Sequence, residues 1–327
     1  MKQALHGSVD SRRHTSLGGT WAGLSAIFRK EVSDAVSSGA FFLSLAAFVL
    51  TIVLTGFASG YAYSKIDWLV KLHPNQAPNY YLMIIRNLAP TITLLGVIVA
   101  VAYGFNMVNK EKTSNSLKVL LNYPVYRDQV ILGKLLAGIF VMFIASFASI
   151  VVAFGIFMFY SGTIPTAEMM LRFSVFYMLT FLLLIGWMGL SVFISLAFKE
   201  AKTSLLMSFM LIGLFNSSVL QDYGLLLAKI IRGPLTILTS DGVVTNTSTA
   251  ALTDLISNLL SSSGFYQLSN WLSLPQMGTW VGSDYVQVSS TALNIVTNNI
   301  YSVIALGLLP IITFLASYIL FTKTDVY

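Results

Sequence analysis

The side chains able to do chemistry are few and scattered. The three histidines, His6, His14 and His73, lie far apart, and none belongs to an H-E-x-x-H pair. There is no cysteine, which excludes thiolate nucleophiles, disulfides and Cys-ligated metals. The only Gly-Lys step, Gly133-Lys134, is followed by Leu135 and lacks the flanking residues of a phosphate loop. Paired intramembrane aspartates and a Ser–His dyad are missing as well. The expectation is a chain with no catalytic, cofactor-binding or metal-binding residues, whose work is mechanical.

The elements that would do such work are apolar. Of 327 residues, 56% are hydrophobic and 10% charged, against about 25% charged in a soluble domain. Charge-free runs near 20 residues recur, the length a helix needs to cross roughly 30 Å of hydrocarbon. The fold class expected is an all-α integral membrane protein with about six transmembrane helices: Phe41–Tyr61, Pro90–Met107, Val130–Tyr160, Phe173–Phe198, Ala201–Leu220 and Val303–Phe321. The net charge of +6 falls between these runs and paves no face, so it speaks for orientation in the bilayer and not for nucleic acid.

An even number of spans puts the N-terminus, the loop 108–129, the turn 199–202 and the C-terminus on one side. That side and the flanking span ends hold thirteen of the 19 basic residues, and the other holds six. The positive-inside bias therefore makes both termini cytoplasmic, in a multi-pass protein of the cell membrane. The chain divides into a disordered polar tail (1–20, without a signal-peptide core), an amphipathic helix (21–38), a five-span region (39–220) containing the loop 108–129, an extracytoplasmic insertion (221–299), and a last span with its tail (300–327). Within the insertion, Leu225–Leu238 reads as an interfacial or re-entrant helix, Leu252 to Leu260 as an amphipathic stripe, and Asn246-Thr247-Ser248 as a glycosylation-type sequon. Outer loops are expected at Ser64–Ala89 and Ser161–Arg172.

Two segments carry the remaining signal. In Trp21–Val36, Trp21, Leu24, Phe28 and Val32 form a helical stripe, with Arg29, Lys30 and Asp34 off it. The segment is too charged to span and suits a helix lying in the headgroup region. In Asn109–Lys134, the charges Lys110, Glu111 and Lys112 precede a short helix, Thr113 to Leu121, whose apolar face is Leu117, Leu120 and Leu121. Pro124 ends that helix, and Arg127 and Asp128 mark the interface. A rigid helix hung below two spans makes a mechanical contact; an ordinary basic loop that only sets topology is the competing reading.

These segments resemble the type-2 ATP-binding-cassette permeases. The resemblance rests on Phe28-Arg29-Lys30-Glu31 with Asp34 before the first span. It rests equally on Glu111-x4-Ser116-Leu117-x2-Leu120-Leu121-x2-Pro124-Val125-x-Arg127-x2-Val130-Ile131-Leu132-Gly133-Lys134. It implies that Trp21, Phe28, Lys30, Glu31 and Asp34 belong to an elbow helix. By the same resemblance Glu111, Leu117, Leu120, Leu121 and Arg127 touch a partner ATPase, which would bind the ATP. A second permease chain, identical or different, would complete the unit, and transport would proceed by alternating access. Asn115-Ser116 departs from the family's usual Gly-Thr pair, and 221–299 lies outside its pattern. The alternative class, a secondary transporter or channel without an ATPase, would need ionisable groups inside the bilayer. The spans as drawn place their charges near the cytoplasmic interface.

Overall fold

The computed structural model describes residues 16–72, 83–113, 127–162, 164–198, 200–214, 230–231, 236–239, 242–245, 261–273, 276–281, 284–289 and 291–323. The chain opens with α1 (Ser16–Ser37) and the long α2 (Gly39–Leu72). Then come α3 (Met83–Thr91), a π-helical stretch (Ile92–Gly96) and α4 (Val97–Thr113), which form one continuous rod. The bundle continues with α5 (Arg127–Ser161), α6 (Ala167–Ala197) and α7 (Ala201–Leu214). The region 221–299 contributes two antiparallel hairpins, β1 (Thr236–Thr239) with β2 (Gly242–Thr245) and β3 (Gln276–Val281) with β4 (Asp284–Ser289). Around the second hairpin sit α8 (Ser261–Leu272) and α9 (Ala292–Asn298), and α10 (Ile300–Lys323) closes the chain.

Five of these helices are long and apolar enough to cross a membrane: Phe42–Ala62, Ile84–Asn109, Asp128–Tyr160, Ala167–Ala197 and Ile300–Lys323. The expected fifth of six spans corresponds to α7, whose 14 residues reach only about 21 Å at roughly 1.5 Å per residue. The rest of that segment, 215–220, lies outside the described residues.

Several boundaries differ from those expected. Ser16–Thr20 is the first turn of α1, not part of a disordered tail. The loop expected over Ser64–Ala89 is largely helix: α2 runs on to Leu72, and α3 begins at Met83 with Ile84, Ile85, Leu88 and Ala89 fully buried. Burial of an apolar face thus outweighs Pro90, whose missing N–H is followed at once by the π-helical turn that re-registers the backbone. The turn expected over Ser161–Arg172 shrinks to its first residues. Gly162 (φ 63°) caps α5 in the left-handed region, donating its N–H to the Met158 carbonyl at 3.0 Å. Thr166 then caps α6, accepting from the Met169 N–H at 3.3 Å. The expected helix over Leu225–Leu238 ends in a strand, since Thr236–Thr239 pairs with Gly242–Thr245. β-branched residues on both strands favour that pairing. The Leu252–Leu260 stripe and Asn246 lie outside the described residues.

α2 packs along α5, α6 lies between α4 and α10, and α1 lies against α5. Small residues permit the closest approach. A Cβ on Gly104 of α4 would collide with the Met188 carbonyl of α6, and beside it the Ser191 hydroxyl donates to the Val101 carbonyl at 2.7 Å. Gly96, Gly186 and Gly189 also face neighbouring helices at contact distance, in keeping with a packing role. Among the aromatics of the spans, Tyr103 and Trp187 are buried in the bundle. α8 inserts Phe265, Leu268 and Leu272 among α3, α6 and α10.

Candidate functional site

The sequence-predicted residues fall on α1 and at the two ends of the loop between α4 and α5. Of the stripe that its apolar residues suggest, α1 half-buries Leu24, Phe28 and Val32. The face against the bundle is Ile27, Glu31 and Ala35, spaced i, i+4 and i+8, and Phe28 flanks it half-buried. A carboxylate therefore occupies the middle of the packing face. The reason lies in α5, where the Lys134 ammonium stands 2.7 Å from Glu31 Oε1. The lysine side chain is only 3% exposed and the glutamate 10%. Lys134 also donates to the Met107 carbonyl of α4 at 3.3 Å, so one ammonium ties three helices together. Lys30 lies 3.4 Å from the same carboxylate oxygen but is half-exposed.

The packing around this pair explains why the helices come so close. A Cβ on Gly133 would stand 2.7 Å from Ile27 Cγ2, so only glycine lets α1 lie directly on α5 there. Phe28 meets Phe140 edge-to-face, with ring centroids 5.5 Å apart. On the far side, Asn109 donates through Nδ2 to the Ser195 hydroxyl at 2.8 Å, joining the end of the second span to the end of α6. The buried Ser195 thus joins two helices, whereas the buried Ser208 satisfies its hydroxyl within α7, on the Ser204 carbonyl at 2.9 Å.

Glu111 lies in the last turn of α4, which continues past Met107 to Thr113, and Arg127 is the first residue of α5. Leu117, Leu120 and Leu121 lie outside the described residues. On α1, Trp21 belongs to the first half of the helix and Lys30 points outward. Asp34 is half-buried near the end, where its carbonyl accepts from the Ser38 N–H at 3.1 Å. The structure thus brings Phe28, Glu31 and Lys134 together and places Glu111 and Arg127 on the two strands of chain that enter and leave the loop.

Sequence reasoning missed two charges. Lys134 was counted with the basic residues of the cytoplasmic side, at a span end, but is buried among three helices. Glu31 and Lys134 are 103 residues apart, so no periodicity links them. The available signal was the Ile27–Glu31–Ala35 spacing, a packing stripe interrupted by a carboxylate. The second miss is Arg172, placed in an outer turn but 1% exposed inside α6. Its Nε donates to Glu168 at 2.9 Å and its Nη1 to the Leu272 carbonyl at 3.0 Å. Glu168 in turn accepts from the Ala292 N–H at 2.7 Å. Cation and carboxylate thus meet the carbonyl end of α8 and the amide end of α9, the polarity that helix termini favour. The i,i+4 spacing of Glu168 and Arg172 was legible in the sequence.

The described residues make a multi-pass helical bundle in which an ion pair holds α1 to the start of a span. The family model of the ABC-2 family transporter proteins matches residues 25–326, and the chain belongs to that family. It is therefore a membrane transport component. Among curated proteins, none matches the chain.

Proposed function

We propose that the chain is the membrane-spanning subunit of an ATP-binding-cassette transporter of the cell membrane, driven by a separate ATPase that docks on the 108–129 loop. Two such chains, identical or different, would form the translocation unit, with both termini cytoplasmic. ATP would be bound and hydrolysed by the partner, and this chain would contribute no cofactor site. The observation that carries the reading is the Lys134 ammonium, 2.7 Å from Glu31 and 3.3 Å from the Met107 carbonyl. It makes α1, α4 and α5 one stiff unit at the root of the loop, so a push on the loop tilts spans instead of bending a flexible tether. Loop and elbow would transmit closure of the ATPase dimer, and the spans would open outward by alternating access.

The substrate-coupled alternative, a secondary carrier, gains little from the buried charges. Lys134 and Arg172 both lie within the first two turns of their spans, and each is neutralised by a carboxylate.

In the docking contact, Leu117, Leu120 and Leu121 would fill a groove of the ATPase, with Glu111 and Arg127 at its rim. Burying two leucines contributes about 3–6 kcal/mol before ordering costs, and a rim charge about 1 kcal/mol or less. The leucines should therefore hold the partner and the charges set its register. Leu117→Asp combined with Leu120→Asp is expected to abolish ATPase co-purification while the chain still inserts. Retention of the ATPase with full transport would reduce the loop to a topology signal.

A further inference from the structure

At the end of the bundle away from α1 there is a second polar feature, which the coupling scheme does not use. Ser59 lies 20 residues into α2, about 30 Å along the helix from Gly39. Here α2, α3 and α8 form the walls of an open cleft of about 620 Å³, lined by Thr51, Thr55, Ser59, Arg86, Asn87 and Tyr266. Arg86 stands at the head of the second span, exposed, and among the described residues no carboxylate lies within ion-pair distance of it. Next to it Asn87 donates through Nδ2 to the Ser59 hydroxyl at 2.9 Å, fixing the junction of α2 and α3.

Below Arg86 the cleft stays polar. Thr51, Thr55 and Ser59 repeat at i, i+4 and i+8, which lays one hydroxyl per turn down about 12 Å of an otherwise apolar span. The protons of Thr51 and Thr55 are engaged, Thr51 donating to the Ala47 carbonyl at 2.7 Å and Thr55 to the Thr51 carbonyl at 2.8 Å. Their oxygens therefore present lone pairs to the cleft as acceptors. An arginine that merely snorkelled to the membrane surface would need no such polar track beneath it. An exposed cation at the mouth with no carboxylate beside it among the described residues, acceptors along the wall and apolar Leu54, Ala58 and Pro90 between them match one kind of ligand.

We infer that this cleft binds an anionic amphiphile, its phosphate or carboxylate head on the Arg86 guanidinium and its hydroxyl- or amide-bearing body donating to Thr51 and Thr55. The guanidinium is suited to such a head because its planar fork offers two parallel N–H donors to one oxyanion. The same chemistry could reach the cleft as a phospholipid of the surrounding bilayer or as a solute entering from water. The assignment does not depend on the ATPase contact, so its failure would leave the permease reading intact.

The test uses the full chain purified in neutral detergent, with phosphatidylglycerol and phosphatidylcholine titrated separately and bound lipid counted by native mass spectrometry. Decyl phosphate, added from water, is a second arm. Wild type is expected to bind phosphatidylglycerol at least about tenfold more tightly than phosphatidylcholine, or to bind decyl phosphate saturably; the arm that responds identifies the source. Arg86→Gln should lower that affinity about tenfold or more, the loss expected for a charge-assisted contact. Arg86→Lys should keep most of it, and Thr51→Val with Thr55→Val should leave it unchanged, because neither probe carries a hydroxyl or amide donor on its tail. Arg86 is exposed, so the Gln variant should melt like wild type, and the melting temperature is measured alongside. Equal binding by wild type and Arg86→Gln in both arms, with unchanged melting, overturns the proposal.

Discussion

Removing either partner of the Glu31–Lys134 pair should be far worse than removing both. Taking two charges out of water nearly cancels their mutual attraction, so replacing the whole pair by apolar groups is close to neutral. Breaking it from one side leaves a buried charge uncompensated, at about 3–5 kcal/mol. The surroundings predict an asymmetry within that range. Glu31→Gln puts a neutral amide in place of the carboxylate that stands 2.7 Å from the Lys134 ammonium, which is 3% exposed. Lys134→Met leaves Glu31 beside Lys30, which lies 3.4 Å away and is 46% exposed, so the carboxylate keeps partial compensation. Glu31→Gln should therefore cost about 4–5 kcal/mol, Lys134→Met about 3 kcal/mol, and the double variant about 1 kcal/mol. Equilibrium unfolding in mixed micelles, titrated with a denaturing detergent, measures all three against wild type. The reasoning is refuted if the two single losses add to within about 0.5 kcal/mol of the double variant, the behaviour of independent sites.

Two further expectations follow from other parts of the molecule. Arg172→Met leaves the Leu272 carbonyl without its cation, at about 1–3 kcal/mol, whereas Glu168, 41% exposed, can rehydrate. Amide exchange across Ser261–Leu272 should speed up markedly in Arg172→Met and only slightly in Glu168→Gln, and unchanged exchange in both would show that Arg172 does not hold the end of α8. Reporter fusions after Asp128 and after Lys323 should read cytoplasmic and one after Asp254 external, from the uneven distribution of Lys and Arg; an external C-terminus would make the number of spans odd.

Much of the membrane part was legible because hydrocarbon thickness converts directly into run length. α5 was foreseen to within three residues at its start and one at its end, because Val130–Tyr160 is a long apolar run in which Lys134 is the one charge. The helix over Met83–Ala89 was missed for a physical reason: Arg86, Asn87 and Pro90 read as loop chemistry, and only the burial of Ile84, Ile85 and Leu88 against neighbouring helices overrides them. The elbow was recognised, but its contact face was not. Glu31 reads as a solvated charge until a lysine 103 positions away is brought to it by the packing of α1 on Gly133. Long-range charge pairing of this kind leaves no periodic trace. The hairpins of 221–299 were obscured similarly, since short strands in Ser/Thr/Asn-rich text resemble ordinary loop composition.

The central claim is that this chain transmits force from an ATPase and has no ATPase site itself. The most direct test isolates the tagged chain from its native membranes and measures ATP turnover before and after peripheral proteins are stripped away. Turnover is expected in the intact assembly, should disappear on stripping, and should return when the removed ATPase is added back. Turnover that persists in the stripped chain, free of any other protein, would contradict it.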